Sequence, residues 1–78
     1  MSNRETYNEV FTKIFNINES DLAGLKYQDI KGWDSVGHMQ LMASLEDAFA
    51  IELDIDDVID FSSYEEGINI LKKYAVEI

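Results

Sequence analysis

Asp34, Ser35 and His38 fall within five consecutive positions, directly after Gly32 and Trp33. A carboxylate, a hydroxyl and an imidazole are the groups of a hydrolytic triad, in which the imidazole takes the serine proton and the acid orients the imidazole. Their spacing argues against that use. If a helix begins here, Ser35 and His38 project outward one turn apart, with no oxyanion hole or substrate cleft between them. His38 then reads as a surface residue. Ser35 keeps a different possibility. A serine at the positive end of a helix has its hydroxyl in solvent beside unpaired backbone N–H groups, which favour a nearby negative charge. That suits attachment of a phosphate-linked group. Serine is also among the best N-caps, and capping alone would account for it. Asp34 can cap in its place and leave the hydroxyl free.

A second constellation is the acidic run Asp54-Ile55-Asp56-Asp57-Val58-Ile59-Asp60. It fails as a calcium loop: Val58 stands where an oxygen ligand is required and Ile59 where the sharp turn needs glycine. No metal site is expected.

The elements that must position these residues can be read from periodicity. Ser2 and Glu5 have capping-box spacing, and Tyr7, Val10, Phe11, Ile14 and Phe15 lie on one helical face. A first helix is expected over about 3–16. Residues 17–34 have no sustained period but contain Leu22, Leu25, Tyr27, Ile30 and Trp33, too apolar for a free linker. They read as a long ordered loop with one helical turn near 20–25, and Trp33 as its packing anchor. The second helix is expected over 35–49, with a broad stripe of Val36, Met39, Leu41, Ala43, Leu45, Ala48 and Phe49. Met39 and Met42 read as core whose flexible chains could repack around an apolar guest. Ile51, Leu53 and Ile55 alternate with acids, but no second strand exists to pair with, so an extended linker is expected. A short third helix over 56–61 and a fourth from Ser62 or Ser63 to about Ala75 complete the chain, the fourth with Tyr64, Ile68, Leu71 and Ala75 on its stripe. The sum is an all-α, small four-helix bundle: three longer helices, a short third one and a long first loop. Phe11, Phe15, Leu41, Leu45, Phe49 and Leu71 are its expected core. Gly37 costs about 1 kcal/mol or less against alanine in a helix, and reads as loosening the first turn or as giving an enzyme close access.

Seventy-eight residues make one domain, 1–78. There is no cysteine, which excludes disulfides, thiolate metal sites and a protein thiol nucleophile. Charged or polar residues interrupt every apolar stretch, so a soluble cytoplasmic protein is expected. Sixteen acidic residues against six basic ones give a formal charge of −10. Such a chain is repelled by nucleic acid and by anionic membranes, suits basic protein partners, and is expected to be a monomer. Glu46, Asp47, Glu52, Asp54, Asp56, Asp57 and Asp60 concentrate the charge in a segment without lysine or arginine.

Asp34-Ser35-Val36 resembles the Asp-Ser-Leu attachment motif of acyl carrier proteins. The segment from Leu41 to Phe49 and the trailing Ile51-Glu52-Leu53 are similar to the rest of that family's second helix and its exit. Length, acidity, long first loop and short acidic third helix fit as well, so the resemblance covers nearly the whole chain. It implies that Ser35 carries 4′-phosphopantetheine, oriented by Asp34 and installed from coenzyme A by a separate phosphopantetheinyl transferase. It implies no catalysis by the chain itself. The arm's thiol would hold an acyl or aminoacyl group as a thioester, in a fatty-acid, polyketide or specialised biosynthetic pathway. Acyl-loading and acyl-processing enzymes with basic patches would dock at Val36, Met39, Glu46, Asp47, Asp54, Asp56 and Asp57, and helices 2 and 3 would flank an acyl slot. Fatty-acid members usually carry acids two and five residues after the serine, where this chain has Gly37 and Gln40. Gln40 resembles the peptidyl carriers of nonribosomal assembly, whose glycine-rich approach Gly32-Trp33-Asp34 matches in part. A small acidic helical interaction module, with Ser35 only a cap, is the reading from another class.

Overall fold

The computed structural model describes residues 2–78. Its elements are α1 (Asn3–Phe15), a single 3-10 turn (Glu19–Asp21), α2 (Ser35–Phe49), α3 (Ile55–Asp60) and α4 (Tyr64–Lys72). Among the described residues there is no strand, only an isolated bridge between Lys26 and Ser63. The fold is an all-α bundle of four helices, as the periodicity predicts.

Each long helix starts where a side chain satisfies its first N–H groups. Ser2 and Glu5 close a reciprocal capping box on α1, at 3.1 Å each way. Asp34 Oδ1 accepts from the Gly37 N–H at 2.8 Å to start α2. Ser63, rather than Ser62, caps α4 by accepting from the Glu66 N–H at 2.9 Å. The ends of α1 and α2 are left-handed residues, Asn16 and Ala50. The next amides, of Ile17 and Ile51, donate back to Thr12 and Glu46 carbonyls, which closes both helices.

The fourth helix is shorter than expected. It stops at Lys72, and Ala75 is an exposed left-handed residue (φ 63°) instead of part of the stripe. The reason lies in the next residue: Val76 donates to the Leu71 carbonyl and folds back into the core, 6 % exposed. Burying one valine in the core gains about 1.5–3 kcal/mol, more than another turn of solvated helix would.

The core is aromatic and gathers on Trp33. Its ring stacks on Phe15 at 5.4 Å and meets Phe11 edge-on at 5.5 Å. Phe11 also meets Tyr64 edge-on at 5.4 Å and stacks on Phe61 at 6.4 Å. The α1 face is Tyr7, Phe11 and Phe15, one residue every four. Tyr7 is buried, so its hydroxyl needs a partner, and it donates to the Tyr64 carbonyl at 2.7 Å, tying α1 to the start of α4. Burial holds that phenol well above its ordinary pKa. Phe49, expected in the core, packs only partly against it. No helix of the described residues is long and apolar enough to cross a membrane.

Candidate functional site

The face of α2 that meets the core is Gly37, Leu41, Met42 and Leu45. This is narrower than the expected stripe. Ala43 and Ala48 face solvent, while Val36 (67 % exposed) and Met39 (56 %) stand outside. Met39 shares the wall of one cavity with the exposed Ile55 (69 %) and Ile59 (71 %) of α3, which sequence reasoning had not singled out. Their signal was present: an i, i+4 pair of isoleucines on a short helix whose inner residues are the buried Asp57 and the half-buried Val58.

Between α2 and α3 lies a cavity of about 400 Å³, with Met39, Ile55, Val58, Ile59 and Phe61 among its walls. Ser35 is at its edge. The lining is overwhelmingly apolar, and the volume falls in the range of ligand pockets, roughly 300–1,000 Å³.

Ser35 itself is exposed. Asp34 supplies the side-chain cap, so the serine hydroxyl is not used to satisfy the helix end. The His38 N–H returns to the Asp34 carbonyl at 2.7 Å. Among the described residues no hydrogen bond takes the N–H groups of Ser35 or Val36. The hydroxyl therefore sits beside free backbone donors at the positive end of a 15-residue helix.

His38 is not the surface residue expected from spacing. Its Nδ1 accepts from the buried Trp33 Nε1–H at 2.9 Å, and Nε2 lies 2.7 Å from the Val58 carbonyl. A carbonyl only accepts, so Nε2 carries the proton and the ring is the neutral tautomer. Both ring nitrogens are engaged, with the first loop and with α3. Neither is bonded to Ser35.

Gly37 is small because the main chain passes over it. A Cβ there would overlap the carbonyl oxygen of Gly32 and lie 3.3 Å from Phe15 Cε1. Contact, not looseness, accounts for the residue: the loop that delivers Asp34 and Ser35 rests directly on the first turn of α2.

The expected docking charges separate into two groups. Asp47, Asp54 and Asp56 are exposed. Glu46 is half-buried and accepts from the Leu53 N–H at 2.8 Å, bracing the extended linker. Asp57 is buried and leaves the set. Its carboxylate binds Lys73 and accepts from the Tyr74 hydroxyl at 2.5 Å, fastening α3 to the end of α4. The hydrogen bond from Lys73, then that from Tyr74, holds its pKa below the ordinary value. A carboxylate oriented this way anchors α3 and presents no free charge to a partner.

No protein-family model, curated protein or solved structure matches the chain.

Proposed function

We propose that the chain is a carrier protein, non-catalytic by itself, whose Ser35 bears 4′-phosphopantetheine. The observation that supports this best is the placement of the Ser35 hydroxyl. It is exposed, relieved of capping by Asp34, next to unused N–H donors, and at the edge of an apolar cavity between α2 and α3. A phosphodiester fits that setting because the helix end and its free amides favour an anion.

In attachment, Ser35 Oγ forms a bond to the β-phosphorus of coenzyme A. The pyrophosphate P–O bond breaks, 3′,5′-ADP departs, and the serine proton goes to a base of the phosphopantetheinyl transferase. The arm supplies a thiol for thioester formation, which a chain without cysteine lacks. Asp34 holds the first turn in place throughout. Met39, Ile55, Val58, Ile59 and Phe61 offer an apolar surface, which favours an acyl cargo over a charged aminoacyl one.

Exposed Val36, Met39, Ile55 and Ile59 form the apolar centre of the docking surface, with Asp47, Asp54 and Asp56 as flanking charges for basic patches on loading and processing enzymes. The test is incubation with coenzyme A and a broad-specificity transferase, read by intact mass. The wild type gains one arm and Ser35→Ala gains none. A wild type of unchanged mass refutes the proposal and leaves the acidic interaction module.

A further inference from the structure

The hydrogen-bond partner of the Ser35 hydroxyl comes from the first loop. Tyr27 places its hydroxyl 3.3 Å from Ser35 Oγ, and among the described residues that phenol has no other hydrogen-bond partner. Its position is fixed from several sides. The Tyr27 N–H donates to the Ser62 carbonyl at 2.9 Å, Lys26 bridges to Ser63, and the Gln28 N–H donates to the Trp33 carbonyl at 3.0 Å. The ring stands edge-on to Trp33 (6.4 Å, 89°) and to His38 (5.5 Å, 74°). Phenylalanine would fill the same aromatic niche. The ring packing does not account for the hydroxyl, and its one hydrogen-bond partner among the described residues is Ser35.

Two other polar groups near Ser35 are already committed, and the Ser62 hydroxyl, also on the cavity wall, makes no hydrogen bond to Ser35. His38 has both nitrogens committed to Trp33 and Val58. Asp34 Oδ1 is committed to the Gly37 N–H and is an acceptor, unsuited to an anion. Either hydroxyl of the Tyr27–Ser35 pair can be the donor, but once Ser35 Oγ is esterified and has no proton only the Tyr27 O–H can donate.

Building on the carrier reading, we propose that Tyr27 is a positioning residue for the attachment point. Before modification it holds Ser35 Oγ toward the cavity edge. After modification Oγ has lost its proton, and the Tyr27 O–H donates to an oxygen of the phosphodiester, so the arm leaves the serine along the cavity instead of straight into solvent. A hydrogen bond to a charged acceptor is stronger than one between neutral groups, so the contact tightens on modification.

The experiment compares wild type and Tyr27→Phe, both armed with coenzyme A by the transferase and confirmed by intact mass. The readout is the ³¹P resonance of the protein-bound phosphodiester and the nuclear Overhauser contacts between the arm and the cavity residues Met39 and Ile59. Expected for Tyr27→Phe are an unchanged apo fold, a displaced ³¹P resonance, and a fall of about tenfold or more in the ratio of cavity-contacting to free arm, the size set by one hydrogen bond to a charged group. Arming should lose kcat more than it gains KM, because the missing hydroxyl orients the nucleophile and does not bind the transferase. Identical ³¹P resonances and arm contacts in the two armed proteins overturn the role of Tyr27 and leave the carrier reading intact. Failure of the wild type to take an arm overturns both. Should Tyr27→Phe fold poorly, armed wild type decides alone: Overhauser contacts from the Tyr27 ring to the arm's phosphate-linked methylene support the proposal, and their absence refutes it.

Discussion

Replacing Gly37 by alanine sets two effects of opposite sign against each other. Helix propensity favours alanine by about 1 kcal/mol inside a helix. Steric overlap opposes it, because the added methyl would occupy the position of the Gly32 carbonyl oxygen, with Phe15 also in contact. Overpacking of this kind costs about 1–3 kcal/mol. The upper end applies here, since the obstacle is main chain and not the flexible tip of a side chain. Gly32 cannot retreat freely either: the loop is anchored next door by Trp33, which is fully buried between Phe11 and Phe15. The difference is a net loss of about 2 kcal/mol after the propensity gain is subtracted. For a domain of this size each kcal/mol lowers the melting temperature by about 4–8 °C, so the variant should melt about 8–16 °C lower. Thermal and urea melts followed by circular dichroism measure this. A Gly37→Ala protein that melts at or above the wild-type temperature would refute the packing argument and restore glycine as a site of local looseness.

Further outcomes follow from other contacts. His38→Ala leaves the buried Trp33 Nε1–H without its acceptor, so urea unfolding should show a loss of about 1–3 kcal/mol. Asp57 has its pKa lowered by Lys73 and Tyr74, so its contribution is present above its ordinary value of 3.8 and is lost as pH falls through the lower folded value. Wild-type melting temperature should therefore drop on acidification through that region, and Asp57→Asn should be less stable at neutral pH with a flatter acid limb. Lys73 titrates in the opposite sense: the Asp57 hydrogen bond raises its pKa, so its contribution is complete below 10.5 and fades above the raised value. A formal charge of −10 should also make the melting temperature rise with added salt, and a flat salt series would contradict that.

How far the fold was legible depended on whether its signals were local. Capping residues are adjacent to what they cap, so Ser2 with Glu5 and Asp34 place two helix starts correctly, while the doubled signal at Ser62 and Ser63 fixes the start of α4 only to within one residue. The end of α4 was not legible, because it is set by Val76 turning back toward Leu71, a packing event without a local marker. The α2 stripe was over-read for a related reason. Val36 and Met39 satisfy a helical period, yet among the described residues no neighbour covers them: Val36 stands exposed and Met39 lines the cavity.

The candidate site divides in the same way. The exposure of Ser35 and the capping by Asp34 follow from two adjacent residues. His38 was misplaced because its partners, Trp33 and Val58, are five and twenty positions away and become neighbours only in the folded chain. Tyr27 and Asp57 are further cases. A tyrosine read as one of the apolar side chains pinning the first loop gives no sign that its hydroxyl meets a serine eight residues later. An aspartate in an acidic run gives none that it is paired with Lys73.

The account rests on Ser35 being the position that takes the arm, and peptide mapping after arming addresses it most directly. The protein is treated with coenzyme A and transferase, digested, and sequenced by tandem mass spectrometry. The added group should be found on Ser35 alone. A chain that acquires nothing, or acquires the group on Ser44, Ser62 or Ser63, would contradict it.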